Sequence, residues 1–255
     1  MIHYFLVICL FILLLLILSG SLILGRHFGI VQLNNHTTSK LEVAEGAVFG
    51  LLALLMAFTF SGAYDRYEHR KMHLVEEADS FDKAYNYIDL IPKNLQPELR
   101  KNMRQYLDLY IKAYKDIPYM DLVYEDLKQA QIVEDLIWKT TVAACAESTD
   151  KTLSQIYVPA FNEMFETAHM GFYLTQIHPP RVVFMLLTGL AVLGAFLVGY
   201  NSAENKQKSF LHSFCYVLLT AFTIYIILNM EYPRVGFMGM EVFDRILIET
   251  RNNMV

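Results

Sequence analysis

Four long apolar segments lie in two pairs at opposite ends of the chain, and a polar stretch of about 115 residues separates the pairs. The first pair covers Ile2–Leu24 and Gly46–Ala63, and the second covers Val182–Tyr200 and Phe210–Met230. Each is close to the ~20 apolar residues that a helix needs to cross a bilayer. Isolated strands or loops cannot span lipid, because their unpaired backbone groups would each cost several kcal/mol there. The sequence therefore predicts an all-α integral membrane protein with four transmembrane helices.

These segments also predict the domain organisation. Residues 1–63 hold transmembrane helices 1 and 2 with an external loop at 25–44, and residues 64–181 form a helical cytoplasmic domain inserted between helices 2 and 3. Residues 182–230 hold transmembrane helices 3 and 4, and residues 231–255 form a cytoplasmic C-terminal tail.

Charge distinguishes the insert from the spans. The chain has a net charge of −5, and residues 64–181 account for all of it, with 14 Lys and Arg against 19 Asp and Glu. An acidic insert argues against a nucleic-acid partner, because nucleic acids select a clustered basic surface.

Basic residues near the ends of the spans predict the orientation in the membrane. Lys and Arg are enriched on the cytoplasmic side of membrane proteins. The basic residues that flank the insert and follow the fourth span are Arg66, Arg70, Lys71, Arg181 and Arg234. Those in the two connecting loops are Arg26, Lys40, Lys206 and Lys208. The balance favours a multi-pass protein of the cell (inner) membrane with the insert and both termini in the cytoplasm.

The sequence lacks the usual signatures of catalysis. Its three cysteines are widely separated, so they indicate neither a disulfide framework nor a zinc site. No nucleophile elbow or phosphate-binding loop is present. His69 and His73 share a helix face with Glu76, but Arg70 and Lys71 between them would repel a metal ion. We predict no enzyme activity, no cofactor and no metal; an enzyme acting on lipid is the weakest of the functions considered.

The insert reads as a series of helices. No Pro or Gly interrupts the chain from Ala63 to Pro92, so the second span is predicted to continue as one long helix. A later helix, from about Asp121 to Glu147, is expected to turn five apolar residues inward: Leu122, Leu127, Val133, Leu136 and Ile137. Pro159 should kink or split the last insert helix, at about 150–174. Apolar stripes this wide are typical of a packed core or of contacts between subunits, and both remain open.

The second span carries two stripes of interest. Gly46, Gly50, Ala53 and Ala57 form a stripe of small residues that lets helices approach closely. The neighbouring stripe is Gly50, Leu54 and Phe58, continued by Ser61 and Asp65. Either stripe could serve packing alone, or one could line a pore that closes by excluding water.

Glu42 and Glu45 stand at the predicted start of the second span. Carboxylates are stabilised at a helix N-terminus by the positive end of the helix dipole. The alternative is a ring of acids at a pore mouth, which would concentrate cations.

Several short motifs resemble one family, the bestrophin-like membrane proteins, and within it the bacterial branch known as the domain of unknown function 4239. The motifs in the second span and its continuation are Gly50-Leu51-Leu52-Ala53, Ala57-Phe58-Thr59-Phe60-Ser61, Arg66-Tyr67 with Arg70, Glu77-Ala78 and Asp89-Leu90-Ile91-Pro92. The C-terminal motif is Glu231-Tyr232-Pro233-Arg234-Val235-Gly236. The order of spans and insert is similar to that of bestrophins over nearly the whole chain.

The resemblance implies a homo-oligomer, a pentamer in bestrophins proper, whose second span lines an axial ion pore. It places the hydrophobic constriction at Gly50, Leu54 and Phe58, and the basic inner mouth at Arg66 and Arg70. The sequence departs from the family in three ways. Gly50 replaces a bulky residue, the acidic calcium clasp of animal members has no counterpart, and Tyr67-Glu68 replaces a tryptophan pair.

We therefore predict an oligomeric, bestrophin-like ion channel or channel-related protein that contacts membrane lipid, copies of itself and a permeant ion. The alternative is a non-conducting membrane scaffold or sensor whose helical bundle binds a protein partner. Asp65 and Glu68 alternate with Arg66 and Arg70 and offset their charge, so the acidic residues favour cation permeation.

Overall fold

The computed structural model describes residues 2–34, 42–148, 150–203, 209–236 and 240–254. Within these residues the chain forms α-helices and one short 3₁₀ helix, Tyr87–Leu90. The α-helices are α1 Ile2–Asn34, α2 Glu42–Asn86, α3 Gln96–Asp116, α4 Met120–Glu147, α5 Ser154–Gln176, α6 Arg181–Asn201, α7 Ser209–Glu231 and α8 Glu241–Asn253.

The helices separate into two compact units. The membrane unit comprises Met1–Tyr67 and His178–Met238, and the insert unit comprises Glu68–Ile177 and Gly239–Val255. Four helices, in the regions of α1, α2, α6 and α7, are long and apolar enough to cross a membrane. The helical character of the chain and its four spans agree with the sequence prediction.

The second span continues as predicted. α2 is a single helix of 45 residues from Glu42 to Asn86, and it contributes its first part to the membrane unit and the rest to the insert unit. Proline, the residue that most strongly ends a helix, first occurs after it, at Pro92.

In the membrane unit, α1 and α6 pack through glycines. A Cβ atom at Gly25 or Gly29 of α1 would overlap the backbone of Phe196 or Tyr200, and one at Gly199 of α6 would overlap the backbone of Leu22. Small residues of this kind allow two backbones to come close together within a membrane. The Ser21 hydroxyl adds a hydrogen bond across the same pair, donating to the carbonyl oxygen of Val192 at 2.7 Å.

The first helix is longer than the predicted span. α1 continues from Leu24 to Asn34 and α2 begins at Glu42, so the loop predicted at 25–44 is wrong in extent. Gly25 and Gly29 resembled loop residues in sequence, but the helix uses them as contact points for α6. Residues 35–41 lie outside the described residues.

A second set of contacts completes the membrane unit. Its buried core joins all four membrane helices, with α1 contributing Leu18 and α2 contributing Leu52 and Ala63. The core residues of α6 and α7 are Leu187, Ala191, Ala195, Val217, Ala221, Ile224, Ile227 and Met230.

The insert unit is built around large aromatic residues. The Tyr106 ring of α3 is fully buried, with its centroid 5.8 Å from that of Phe81, 5.0 Å from Tyr110 and 5.6 Å from Phe165. These residues come from α2, α3 and α5, so one aromatic cluster holds three helices together. Buried aromatic residues contribute large apolar areas and favourable edge-to-face contacts.

The face that α4 buries differs from the predicted one. Leu122 and Leu136 are 51% and 43% exposed, whereas Val133 and Ile137 are buried as expected. The buried residues of this helix are Val123, Asp126, Ala130, Val133, Ile137, Thr141 and Ala144. The sequence of α4 contains two apolar stripes at helical spacing, and the structure buries the one that includes Asp126. Asp126 accepts a hydrogen bond from Lys112 at 2.6 Å.

Two further elements refine the sequence prediction. α5 runs without interruption from Ser154 to Gln176 although it contains Pro159, so the helix is not split. The proline lies in the second turn, where its missing N–H removes a single helical hydrogen bond. The predicted C-terminal tail contains α8, which packs on α3; Arg251 of α8 pairs with Asp108 of α3 at 2.7 Å.

Candidate pore-lining helix

Within the membrane unit, α2 has one face turned towards the protein. Leu52 and Ala63 on this face are 4% and 0% exposed, and Leu55, Met56 and Tyr67 pack against the same core. Leu52, Met56, Ala63 and Tyr67 lie four or seven residues apart, a spacing that produces one continuous stripe along the helix. The remaining faces of this part of α2 are therefore available to lipid, to water or to another subunit.

The predicted constriction residues lie together on an exposed stripe. Leu54 is 53% exposed and Phe58 is 67% exposed. Gly50 lies one turn before Leu54, and no heavy atom lies within 4 Å of the position that a Cβ would occupy there. The spacing i, i+4 and i+8 keeps the three residues on one side of the helix.

The acidic end of α2 is tied to α6. Glu45 lies in the first turn of α2, and its carboxylate Oε2 accepts a hydrogen bond from the Asn201 side-chain amide near the end of α6. Glu42 is the first residue of α2, but its side chain lies outside the described residues. The position of Glu45 is that of a carboxylate stabilised at a helix N-terminus. Glu45 lies seven residues before the buried Leu52, so its side chain is on the packed side of α2 and not on the side of Leu54.

At the other end of this part of α2, Arg66, whose side chain is 29% exposed, forms an ion pair with a buried carboxylate. Its guanidinium donates to the carboxylate of Glu231, with Nη2 2.7 Å and Nε 3.0 Å from Oε2. Glu231 is fully buried, and its Oε1 lies 2.9 Å from Nδ1 of His178. Gly62, one turn before Arg66, leaves room for the guanidinium. A Cβ atom added at Gly62 would lie 3.2 Å from Nη1 of Arg66. Asp65 is exposed.

Glu231 offsets the charge of Arg66 within the same chain. Buried ion pairs of this kind need additional hydrogen bonds to be stable, and His178 supplies one. The His178 ring also lies against the Tyr232 ring, with centroids 4.5 Å apart and the planes tilted by 32°. Arg66 therefore holds the end of α7 and the start of the His178 segment against α2.

Arg70 lies in the insert unit and is only 6% exposed. Its Nε and Nη2 atoms donate to the carbonyl oxygens of Leu174 and Ile177, each at 2.9 Å. These carbonyls belong to the C-terminal end of α5, where the helix dipole favours a cation. Arg70 therefore ties α2 to the end of α5.

The His69 and His73 pair does not form a metal site in the described part of the chain. The described residues contain no group of three or more His, Cys, Asp or Glu residues placed to hold a metal ion. Nε2 of His73 lies 2.8 Å from the carbonyl oxygen of Thr167, and His69 is exposed.

These features define a helical membrane protein with several spans, in which α2, like the other membrane helices, exposes apolar residues. The chain belongs to the bestrophin-like family: the model of the bestrophin-like domain matches residues 4–241. No curated protein sequence matches the chain.

Solved structures of bacterial bestrophin homologues from Klebsiella pneumoniae share this fold. One single-substitution variant has a TM-score of 0.70 at 12% identity, covering 96% of this chain and 98% of the other. A second variant has a TM-score of 0.68 at 12% identity, covering 94% and 98%. A third structure has a TM-score of 0.61 at 13% identity, covering 92% and 97%. The chain is thus a membrane protein with the fold of the bacterial bestrophin homologues.

Sequence reasoning missed the partners of the candidate residues. Glu231 binds Arg66 and Asn201 binds Glu45, and the members of each pair lie more than 150 residues apart in the chain. His178, which binds Glu231, lies 53 residues from it. The Glu231 motif and the His178-Pro179-Pro180 break were visible in the sequence, but nothing local indicates that the two converge.

Proposed function

We propose that the chain assembles into a homo-oligomeric ion channel in which α2 of every subunit lines an axial pore. The observation that carries this proposal is the stripe of Gly50, Leu54 and Phe58, because these apolar positions are exposed while the other side of α2 packs into the core. Membership of the bestrophin-like family supports the same assignment. In this proposal the insert and both termini lie in the cytoplasm, and the protein belongs to the branch of the domain of unknown function 4239.

A closed ring is the first requirement, and a pentamer is the size that the family suggests. The test is the oligomer mass of the purified full chain in detergent, corrected for bound detergent. A ring supports the proposed pore, and a stable monomer excludes it. Labelling of introduced cysteines at Ser148→Cys and Asn35→Cys in intact cells tests the orientation. Reaction of position 148 from outside would reverse it.

Leu54 and Phe58 form the narrow part of the proposed pore. Apolar rings can close a narrow pore by excluding water, and smaller side chains there let water enter. Leu54→Ala combined with Phe58→Ala should therefore raise the conductance or the open probability in planar bilayers. Phe60→Ala is the control, because Phe60 is also exposed but points to another side of α2. Equal currents from the double variant and the parent would remove Leu54 and Phe58 from the constriction.

The charges near the two ends of the proposed pore favour cations. Glu42 and Glu45 supply the negative charge near the proposed outer mouth, although Asn201 of α6 holds the Glu45 side chain to one side. The inner mouth carries Asp65 beside Arg66. Glu231 offsets the Arg66 charge within its own subunit, and Arg70 is almost fully buried. Any field from these two arginines at the pore is weakened accordingly. The reversal potential in a KCl gradient tests this proposal, and Glu45→Gln should reduce the cation preference. A reversal potential near that of chloride would contradict it.

A scaffold or sensor that binds a protein partner is the second candidate function. The observation in its favour is a set of exposed apolar residues on α4, in which Ile132, Leu136 and Val142 are 58%, 43% and 51% exposed. Exposed apolar residues of this kind fit a neighbouring subunit or a different protein. A folded oligomer that carries no current in bilayers, even as the Leu54 and Phe58 double alanine variant, would favour this function over the channel.

A further inference from the structure

A cavity of about 700 Å³ lies in the membrane unit between the start of α2, the end of α6 and the start of α7. Its volume falls within the range of small-molecule sites in proteins. One part of its lining is polar, with Glu45, Asn201 and His212, and the other part is apolar, with Phe49, Val198 and Leu219. This division suits a ligand that has a polar head and a short apolar body.

The polar part presents an oriented carboxylate. The Asn201 amide donates to Oε2 of Glu45, which fixes the side chain relative to α6. A carboxylate can accept about four hydrogen bonds, so one bond from Asn201 leaves capacity for a ligand. Among the described residues that line the cavity, Glu45 is the one that carries a formal charge at neutral pH.

Three helix ends contribute further partial charges. The N-termini of α2 and α7 are positive and the C-terminus of α6 is negative, each equivalent to roughly half an elementary charge. Together the three ends sum to about half a positive charge, which does not cancel the full negative charge of Glu45. Among the described residues and helix ends around the cavity, the balance of charge therefore favours a cation.

The apolar part contains an aromatic pair that the fold makes room for. The rings of Phe49 and Tyr216 lie with their centroids 5.7 Å apart at an angle of 57°. Tyr216 donates a hydrogen bond from its hydroxyl to the carbonyl oxygen of Ala191 at 3.2 Å. A Cβ at Gly194 would overlap this hydroxyl and would lie 3.2 Å from the Phe49 ring. Gly194 is thus the residue that allows the aromatic pair to sit against α6.

We infer that this cavity binds a small organic cation, a primary or methylated ammonium group on a short apolar or aromatic body. The ammonium group contacts the Glu45 carboxylate, and the body packs against Phe49 and Leu219. Aromatic rings near an ammonium group add cation–π attraction to the ion pair. The ammonium group can come from a soluble amine or from the headgroup of an aminophospholipid, since both present the same chemistry.

The test is direct binding of phenethylammonium to the purified full chain by titration calorimetry. Phenethyl alcohol is the matched neutral probe, because it has nearly the same size and lacks the charge. We expect saturable binding of the ammonium probe and binding of the alcohol weaker by about tenfold or more, the effect of a charge-assisted hydrogen bond. Equal affinities for the two probes would overturn the inference.

Variants separate the two parts of the site. Glu45→Gln keeps an acceptor for Asn201 but removes the charge. It should lower the affinity for the ammonium probe by about tenfold or more. Gly194→Ala should displace the aromatic pair and weaken binding, whereas Gly189→Ala on the same helix should not, because no heavy atom lies within 4 Å of its Cβ position. Unchanged affinity in Glu45→Gln, or equal affinities in Gly194→Ala and Gly189→Ala, would overturn the assignment.

Two lipid compositions identify the source of the ammonium group. The probe is titrated into protein in nanodiscs of phosphatidylglycerol alone and of phosphatidylglycerol with phosphatidylethanolamine. A lower affinity for the probe in the nanodiscs with phosphatidylethanolamine indicates competition from that lipid. If this difference disappears in Glu45→Gln, the result supports the site with a lipid headgroup as its occupant. Equal affinities in both nanodiscs support it with a soluble amine. Each variant is compared at the same oligomer mass and melting temperature, so loss of fold is distinguished from loss of the site.

Discussion

The membrane unit and the insert unit are both helical, but different contacts hold them together. In the membrane unit, Gly25, Gly29 and Gly199 bring the backbones of α1 and α6 into contact. In the insert unit, a fully buried tyrosine, Tyr106, links three helices and also donates a hydrogen bond to Glu134 at 2.6 Å. Close backbone contacts supplement the aliphatic core in the first unit, and large aromatic side chains with polar partners hold the second together.

The surroundings of each unit explain this difference. Lipid tails are as apolar as leucine, so helices in a membrane gain little from burying large apolar side chains and more from close backbone packing. The insert unit is expected to face water, where the hydrophobic effect rewards burial of aromatic area. The comparison predicts that glycine substitutions matter most in one unit and polar partners in the other.

The ion pair of Arg66 and Glu231 is the exception in the membrane unit, and breaking it should produce the largest effect. Arg66→Met leaves the fully buried Glu231 carboxylate with one strong partner fewer. Removing one member of a buried pair typically costs roughly 3–5 kcal/mol. We expect a clear loss of thermal stability and of oligomer in detergent.

The double variant Arg66→Met with Glu231→Leu tests the physical reason for this loss. It removes both charges, so it should recover much of the stability, because apolar replacement of a buried pair is often neutral. A single Arg66→Met variant as stable as the parent would show that Glu231 does not depend on Arg66. Equal losses in the single and double variants would point to lost packing instead.

Substitution at Gly25 should have the next largest effect. Gly25→Ala forces α1 and α6 apart, because the new Cβ would overlap the Phe196 backbone, and overpacking of this kind costs about 1–3 kcal/mol. Gly20→Ala on the same helix is the control, since no heavy atom lies within 4 Å of its Cβ position. Melting temperatures of the two variants in one detergent compare them, and equal values would mean that the α1–α6 contact is not required.

The sequence predicted the spans well because hydropathy reports the environment of a helix directly. The break at His178-Pro179-Pro180 and the continuous α2 followed from proline chemistry, which acts locally. The extension of α1 was missed because Gly25 and Gly29 favour loops in local terms, and only their contact with α6 makes them useful in a helix. Helix α8 was missed because its packing partner, α3, is more than 100 residues away in the chain.

The candidate site was predictable only in part. Helical spacing places Gly50, Leu54 and Phe58 on one face whatever the tertiary structure. The packing of α6 and α7 against α2 decides which face of α2 is exposed. It places Leu52 and Ala63 in the core and leaves the face of Leu54 exposed. On α4 the same reasoning chose Leu122 and Leu136, because Asp126 made the truly buried stripe look solvent-facing.

The ion pair of His169 and Glu134 in the insert unit should give a smaller, pH-dependent effect. The hydrogen bond to Glu134 raises the pKa of His169, despite partial desolvation. Burial alone would raise the pKa of Glu134, but hydrogen bonds from His169 and Tyr106 outweigh it and lower that pKa.

The sign of the pH dependence follows from these two directions. The His169 contribution is complete below its ordinary pKa of 6.5 and is lost as pH rises through the raised value. The Glu134 contribution is present above its ordinary pKa of 4.5 and is lost as pH falls through the lowered value. The pair therefore stabilises the insert unit most between about pH 4.5 and 6.5. Because His169 is 40% exposed, we expect less than about 1 kcal/mol.

His169→Gln isolates this pair from the other titrating groups. The melting temperature of the parent should fall more between pH 6 and pH 9 than that of the variant, since the variant has no ring to deprotonate. Thermal melts of both proteins across this range measure the difference. Parallel curves for the two proteins would show that the pair does not contribute to the pH dependence.

The smallest effect is expected for Arg251, which provides the direct counterpart of Arg66. Arg251 pairs with Asp108 through two hydrogen bonds of 2.7 and 2.9 Å, a geometry as good as that of Arg66 with Glu231. Both side chains are partly exposed, at 36% and 49%, so water and salt screen the attraction. Exposed pairs of this kind contribute about 0.2–1 kcal/mol.

Arg251→Met should therefore lower the melting temperature only slightly. Added salt should remove the difference from the parent, because the Debye length shortens to ~3 Å at 1 M. The loss caused by Arg66→Met should persist in the same salt, since Glu231 is fully buried. If the two methionine variants lose equal stability and respond equally to salt, burial does not distinguish the two ion pairs, and the contrast between the two units fails at its charged contacts.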